Sequence, residues 1–321
     1  MKKATIRKAL CVLLLLAFAL TTLSSCGTSY KKGDTTVLMT VGGVKVTAEQ
    51  YRFICMKNAT ILAGSDKEYF TGADAEAHLL ELEAAVEKEL RLYCAVETLA
   101  KKYGVKLSSD DKDLIKEELA SLKSQSSGEE AYYQWLEASF MSENAFYEHT
   151  RNYYLERNLF YHIIDEKNGI VLLSDEQLLK DIEDYFFAAG QILIKNDSAD
   201  AEATLQTVLS ELEKGTDFYA LAEQYSGDTV KSVRYFCTGE MQEYFEETVK
   251  GLAIGEVSQP VVSDMGVHII KREAIGSEYI DKNFDAFRDT DLVRLYNVIL
   301  ENEAASLEIV YTDAYTGLIR A

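Results

Sequence analysis

The chain has 321 residues, 47% of them hydrophobic, with 33 basic and 53 acidic side chains for a net charge of −20. That length suits two domains of ordinary size, and the acidity excludes a phosphate-binding surface for nucleic acid, which needs a basic footprint. Five widely spaced cysteines, four dispersed histidines and no C-x-x-C make neither a disulfide framework nor a zinc site, and there is no G-x-S-x-G turn or phosphate loop.

Residues 1–25 read as an export signal. Lys2, Lys3, Arg7 and Lys8 form a positive start, and residues 9–20 are unbroken apolar sequence. That run is too short for a spanning helix, which needs about 20 residues, and it suits the apolar core of a signal peptide. It ends in Leu23-Ser24-Ser25-Cys26, which resembles the bacterial lipoprotein box. The resemblance implies that Cys26 is lipidated and becomes the mature N-terminus. An ordinary signal peptide with a chance cysteine is the alternative. Losing the signal removes four basic and no acidic residues, taking −20 to −24. Residues 26–34 are polar and glycine-containing and read as a tether.

Residues 35–39 predict a strand, Gly42-Gly43 a turn, and residues 44–46 a returning strand. Thr47 and Gln50 have capping-box spacing, so a helix begins near Ala48. A long helix follows over 75–103, stopped by Gly104, with further helices at 110–123, 129–138 and 143–166. The spacing from Ser127 to Glu130 predicts the cap of the second of these, and Ser174 to Gln177 the cap of another. Cys55 and Cys94 lie in apolar helical contexts and read as buried small hydrophobes. Aromatic residues are dense here, among them Tyr132, Trp135, Phe140, Phe146, Tyr153 and Phe160. They fit either a helical core or a cleft for extended chains.

Residues 188–197 (AAGQILIKND) predict a strand. Ala201, Leu205, Val208, Leu209 and Leu212 recur at helical spacing before Gly215, and Phe218, Leu221, Ala222 and Tyr225 repeat it. An irregular segment, a short helix and a closing strand at 255–273 complete a compact α+β unit with an antiparallel sheet. One more helix near 283–302 and a strand at 307–312 cannot bury a core alone, so they must pack on something earlier.

Residues 188–274 resemble the parvulin (PpiC-type) peptidyl-prolyl isomerases. The first strand is similar to A-x-H-I-L-[VI]-K. KGTDFYALAEQYSGD (214–228) is similar to G-x-D-F-x-x-L-A-x-x-Y-S-x-D. Residues 236–261 lead into G-E-V-S-Q-P-V, and GVHIIK (266–271) is similar to the closing strand. VLMTVGGVKVTAEQYRF (37–53) resembles the start of the PrsA-like and SurA-like foldases. The resemblance implies a mostly helical chaperone lobe over 35–187, completed by 275–321, with an inserted FKBP-like antiparallel-sheet domain at 188–274.

By motif position, Met241 and Phe245 match the proline pocket, Phe236 a neighbouring wall, Asp228 the polar residue near the rotating carbonyl, and His268 the histidine of the site floor. Gln191 stands where the family has a second histidine, and SVRYF (232–236) replaces its Gly-Gly-Asp-Leu-Gly loop. Without the match, Phe245 and Met241 read as core, Asp228 as a turn residue and His268 as a satisfied core histidine. The implied protein is a lipid-anchored extracytoplasmic foldase on the cell membrane. Its implied partners are unfolded or newly exported polypeptides, and it needs no metal or cofactor. A holdase whose parvulin-like domain only binds clients is the alternative, and a solute-binding lipoprotein would need two similar α/β lobes.

Overall fold

The structure is a computed structural model that describes residues 33–320 apart from 140, 168 and 199. The export signal and Cys26 lie outside the described residues. Two units divide the chain: one joins the residues up to Ile170 with those from Tyr296 onward, and the other is Val171–Leu295.

In the first unit, β1 (Val37–Val41) and β2 (Val44–Thr47) pair across Gly42 and Gly43. Their φ angles of 58° and 82° give the doubly positive geometry of a tight hairpin turn. The third strand, β7 (Ile309–Tyr311), pairs antiparallel with β1 from the far end of the chain, Met39 opposite Tyr311 and Val41 opposite Ile309. α1 (Ala48–Ala63) starts on a reciprocal cap: Thr47 Oγ1 accepts from the Gln50 amide at 3.4 Å, and Gln50 Oε1 accepts from the Thr47 amide at 3.0 Å.

α2 (Ala75–Tyr103) ends on left-handed Gly104 and packs along α5 (Glu143–Ile164). Leu82, Val86, Leu90 and Leu99 of α2, with Leu155, Leu159 and Ile163 of α5, are buried. Cys55 and Cys94 are both buried, at 2% and 0% exposed. α3 (Ser109–Gln125) has a second reciprocal cap, between Ser108 and Asp111. α4 (Glu129–Ala138) departs from the expected box at Ser127. Its cap is Gly128 at φ 124°, with no side-chain bond, because that backbone conformation suits glycine and leaves Ser127 outside the helix.

In the second unit, α6 (Asp175–Tyr185) runs directly into β3 (Phe186–Lys195), which is buried except at its last residue. β4 (Arg234–Cys237), β5 (Val261–Ser263) and β6 (Gly266–Glu273) complete an antiparallel sheet of order β4-β3-β6-β5. α7 (Ala201–Glu213) and α8 (Phe218–Tyr225) cover one face, packing Val208, Phe218 and Leu221 on Ile192, Ile194 and Ile269. On the other face, α9 (Glu243–Gly251) packs Phe245 and Val249 with Phe187, Ala189, Phe236 and Ile270. A side chain at Gly266 would place its Cβ 2.1 Å from the Ile194 carbonyl oxygen, so the β3–β6 approach requires glycine there.

The arrangement is α+β, as the sequence implies, with three differences. The segment read as irregular contains β4. The closing stretch read as one strand at 255–273 holds β5, a turn and β6. The second unit also reaches beyond 188–274: Leu178, Ile182 and Phe287 bury Phe186 and Cys237, with Tyr279, Ile280 and Phe284 against them. Residues 275–295 therefore group with the sheet, through α10 (Ser277–Lys282) and the first part of α11 (Phe284–Ser306), and not with the N-terminal lobe. From Tyr296 the chain groups with the first unit, which also holds α12 (Asp313–Arg320).

Candidate functional site

The register of the sheet assembles the site. Gln191 lies opposite Ile270 and Leu193 opposite His268, so Gln191 and His268 are diagonal neighbours on one face. The turn after α8 is tied to β3, because Ser226 Oγ accepts from the amides of Leu193 at 3.0 Å and Asp228 at 3.2 Å. That turn aims Asp228 at Gln191. Asp228 accepts from the Val230 amide at 3.0 Å, from Arg234 Nη2 at 2.5 Å, and from Gln191 Nε2.

A carboxylate only accepts, so Asp228 fixes which end of the Gln191 amide faces it. Gln191 Oε1 is left facing His268 Nδ1 at 3.0 Å, so Nδ1 carries the proton and donates. His268 Nε2 is then an acceptor, with Ser263 Oγ at 2.7 Å and the Tyr244 hydroxyl at 3.3 Å. The result is a directed chain from Asp228 through Gln191 and His268 to two hydroxyls, with the tautomer of each group set by its neighbour. Burial pushes the Asp228 carboxyl up, but the Val230, Gln191 and Arg234 donors outweigh it and hold it below the usual carboxylate range. Burial also holds His268 below its ordinary value, partly offset by the Asp228 charge, and its ring is fully buried. It is a neutral imidazole that solvent does not reach.

Beside the chain lies an apolar wall. Phe236 and Phe245 meet at 5.7 Å between ring centres, and Phe187 stacks behind Phe236 at 5.8 Å. Phe245 is 2% exposed and Phe236 4%, so both form the interior of the wall. Met241 and Tyr244 are half-buried and pack outside them. Glu246 fixes Met241 by accepting from its amide at 2.9 Å and from that of Gly239 at 2.8 Å.

The structure thus gathers Gln191, Asp228, His268, Phe236, Phe245 and Met241 on one side of the sheet. It adds Tyr244, Ser263, Arg234 and Glu246, which the sequence reading did not single out. Spacing offered one signal: Ser263 and His268 flank the β5–β6 turn, which brings a hydroxyl and an imidazole together. Arg234 Nη1 is buried without a hydrogen-bond partner. Among the described residues no cluster of histidine, cysteine or carboxylate side chains could hold a metal ion.

Residues 185–274 match the PPIC-type PPIASE domain, and residues 1–160 match the SurA-like N-terminal domain. Foldase protein PrsA of Oceanobacillus iheyensis is 30% identical over 212 residues, 62% of this chain and 66% of that protein. Foldase protein PrsA of Geobacillus kaustophilus is 34% identical over 121 residues, 34% of this chain and 40% of that protein. The match spans less than two thirds of the length of either relative. Among solved structures, the peptidylprolyl isomerase PrsA of Bacillus anthracis is 24% identical, covering 67% of this chain and 95% of that one, at a TM-score of 0.35.

Proposed function

We propose that the chain, whose residues match a SurA-like N-terminal domain and a PPIC-type PPIASE domain, is a PrsA-like extracytoplasmic folding factor: a parvulin-type peptidyl-prolyl cis-trans isomerase with chaperone activity on exported polypeptides. Rotation about a peptide bond faces about 18–20 kcal/mol. An isomerase lowers that barrier by holding the twisted amide more tightly than either planar form. It needs an apolar seat for the proline ring and polar groups at the carbonyl.

The observation that carries this reading is the directed chain Asp228–Gln191–His268–Ser263 lying beside Met241 and Tyr244. In this reading the proline ring rests on Met241 and Tyr244, with Phe245 and Phe236 behind them. Ser263 Oγ donates its hydrogen bond to His268 Nε2, so the more distant Tyr244 hydroxyl is the donor left for a substrate carbonyl. Asp228, with Arg234, makes the polar rim. The test is proline-isomer exchange by NMR on a panel of X-Pro peptides with the full chain. Exchange above the uncatalysed rate is expected, and its absence across the panel would sink the isomerase reading.

The second reading, a holdase, is favoured by the burial of Phe245 and Phe236 and by β4 standing where a glycine-rich loop would open the site. It predicts suppression of client aggregation without any exchange. Two further parts of the reading concern placement. Cys26 is the lipid anchor that holds the protein on the outer face of the membrane, and intact-mass measurement of mature protein should find an acyl group there. The sheet domain is an insertion, a reading supported by the pairing of β7 with β1. Replacing residues 171–295 with a short Gly/Ser linker should leave a helical protein that melts cooperatively.

A further inference from the structure

The helical unit contains a cavity of about 460 Å³ between α1, α2, α5 and the later turns of α11. Ile54, Val96 and Leu300 give it aliphatic walls, and Tyr153, 61% exposed, stands at its mouth. Three carboxylates line it, Glu89, Glu156 and Glu301, against one lysine, Lys88. Glu89 is already engaged by Lys57 at 2.8 Å and Asn58 at 2.7 Å. Glu156 differs: it is half-buried, has no hydrogen-bond or ion-pair partner among the described residues, and burial alone pushes its carboxyl above the usual range.

A carboxylate among apolar walls is unfavourable until a cation or donor reaches it. The Tyr153 ring is a second feature that attracts a cation. A neutral apolar occupant would strip water from Glu156 and leave it uncompensated, and an acidic one would be repelled. A basic side chain satisfies all three features: its methylene stem fits aliphatic walls while its head meets the carboxylate. The net charge of −20 favours the approach of such a segment.

We propose that this cavity receives a lysine or arginine side chain from an unfolded client, its stem against Ile54, Val96 and Leu300 and its charged head on Glu156 beside Tyr153. This rests on the client-binding reading above and names the class of segment recognised: basic, with apolar neighbours.

The test uses the mature chain and three labelled peptides that differ only at a central lysine, norleucine or glutamate, followed by fluorescence anisotropy. The lysine peptide should bind about tenfold more tightly than the norleucine peptide, and the glutamate peptide more weakly than either. Glu156→Gln, which keeps the side chain's shape, should remove the lysine advantage and leave norleucine binding unchanged. Carbodiimide coupling of the bound lysine peptide, mapped by mass spectrometry, should mark Glu156. Equal binding of lysine and norleucine peptides in the wild type overturns the proposal without need of any variant. So does a lysine advantage that survives Glu156→Gln, or coupling only at carboxylates outside the cavity. If norleucine and lysine peptides bind equally, only this inference fails. If no peptide binds, the client-binding reading fails with it.

Discussion

On one face of the four-stranded sheet, Ile192, Ile194 and Ile269 meet the apolar side chains of α7 and α8. On the other, Gln191 and His268 set a hydrogen-bonded chain among Phe187, Phe236, Phe245 and Ile270. The two faces are alternate residues of the same strands. A slip of one residue between β3 and β6 would exchange them. The first face, which carries no chemistry, therefore holds the register that makes the second possible. The second spends part of its apolar area on groups that must be satisfied one by one.

The largest effect that probes this comparison is stability. Phe245→Ala should cost about 3–5 kcal/mol, and Ile192→Ala on the opposite face about 2–5 kcal/mol, read from urea unfolding. Similar losses mean that both faces are structural, and any loss of activity in Phe245→Ala then reports unfolding. A loss under about 1 kcal/mol for Phe245→Ala would show that its ring is not the interior of the wall.

This is where the sequence was least informative about the site. Motif position put Phe245 in a pocket, and periodicity alone put it in a core. Its 2% exposure places it inside the wall, while half-buried Tyr244, one residue earlier, faces the histidine. Motif order could not distinguish the buried member of the wall from the half-buried neighbour that packs outside it. The helix starts at Thr47 and Ser174 were legible because capping is local, Thr47 and Gln50 needing only each other, whereas the box read at Ser127 is displaced by Gly128. β3 and β6 were legible from apolar runs with glycine at Gly190 and Gly266. β4 was not, because Tyr235 earns its place through a partner 44 positions away, stacking at 3.6 Å on Tyr279. Arg234 was invisible for the same reason, since it becomes part of the site only when the sheet brings Asp228 to it, whereas Ser263 lies five residues from His268 across a local turn.

A smaller effect is expected from breaking the polar chain while keeping its volume. Gln191→Leu removes the acceptor from His268 Nδ1 and one donor from Asp228. Asp228 keeps Arg234 and the Val230 amide, but the histidine is left with a buried, unmet donor. The expected cost is about 1–3 kcal/mol. Double-mutant analysis with His268→Leu should recover part of it, because the orphaned group is then gone. If the two losses simply add, the residues are not coupled.

The pH dependence follows from the same contrast. Burial depresses the folded pKa of His268, so the neutral ring's contribution to stability is present above the ordinary imidazole value of about 6.5. As pH falls below that value the unfolded chain gains the proton first, and stability is lost until pH passes the depressed folded value. His149 in the helical unit is also held low, by burial and then by Lys57, so its loss of stability on acidification has the same sign. Amide exchange in β3 and β6 isolates the sheet. Protection there should weaken between pH 7 and 5 in wild type, and less so in His268→Gln. Equal weakening in both proteins would assign the effect elsewhere.

The smallest effect is expected from Gln191→His. The glutamine already does two things at once, donating to Asp228 and accepting from His268. A neutral imidazole can also donate from one nitrogen and accept at the other, so the direction of the chain can survive the exchange. What changes is the distance between the two polar atoms and the rigidity of the ring, in a strand position that is 8% exposed. The difference between one satisfied neutral hydrogen bond and another lies at the low end of about 0.5–1.5 kcal/mol. As a barrier change that is roughly threefold in exchange rate. An isomerase limited by its floor should therefore gain about threefold with little change in melting temperature. One limited by its wall, where Phe245 and Phe236 are closed in, should gain nothing. Wild type and variant are compared in the same X-Pro exchange experiment, with Tyr244→Phe beside them to report the outer hydroxyl. If Gln191→His lowers the rate tenfold or more, the glutamine is doing something that an imidazole cannot, and the chain from Asp228 to His268 is not interchangeable with a pair of histidines.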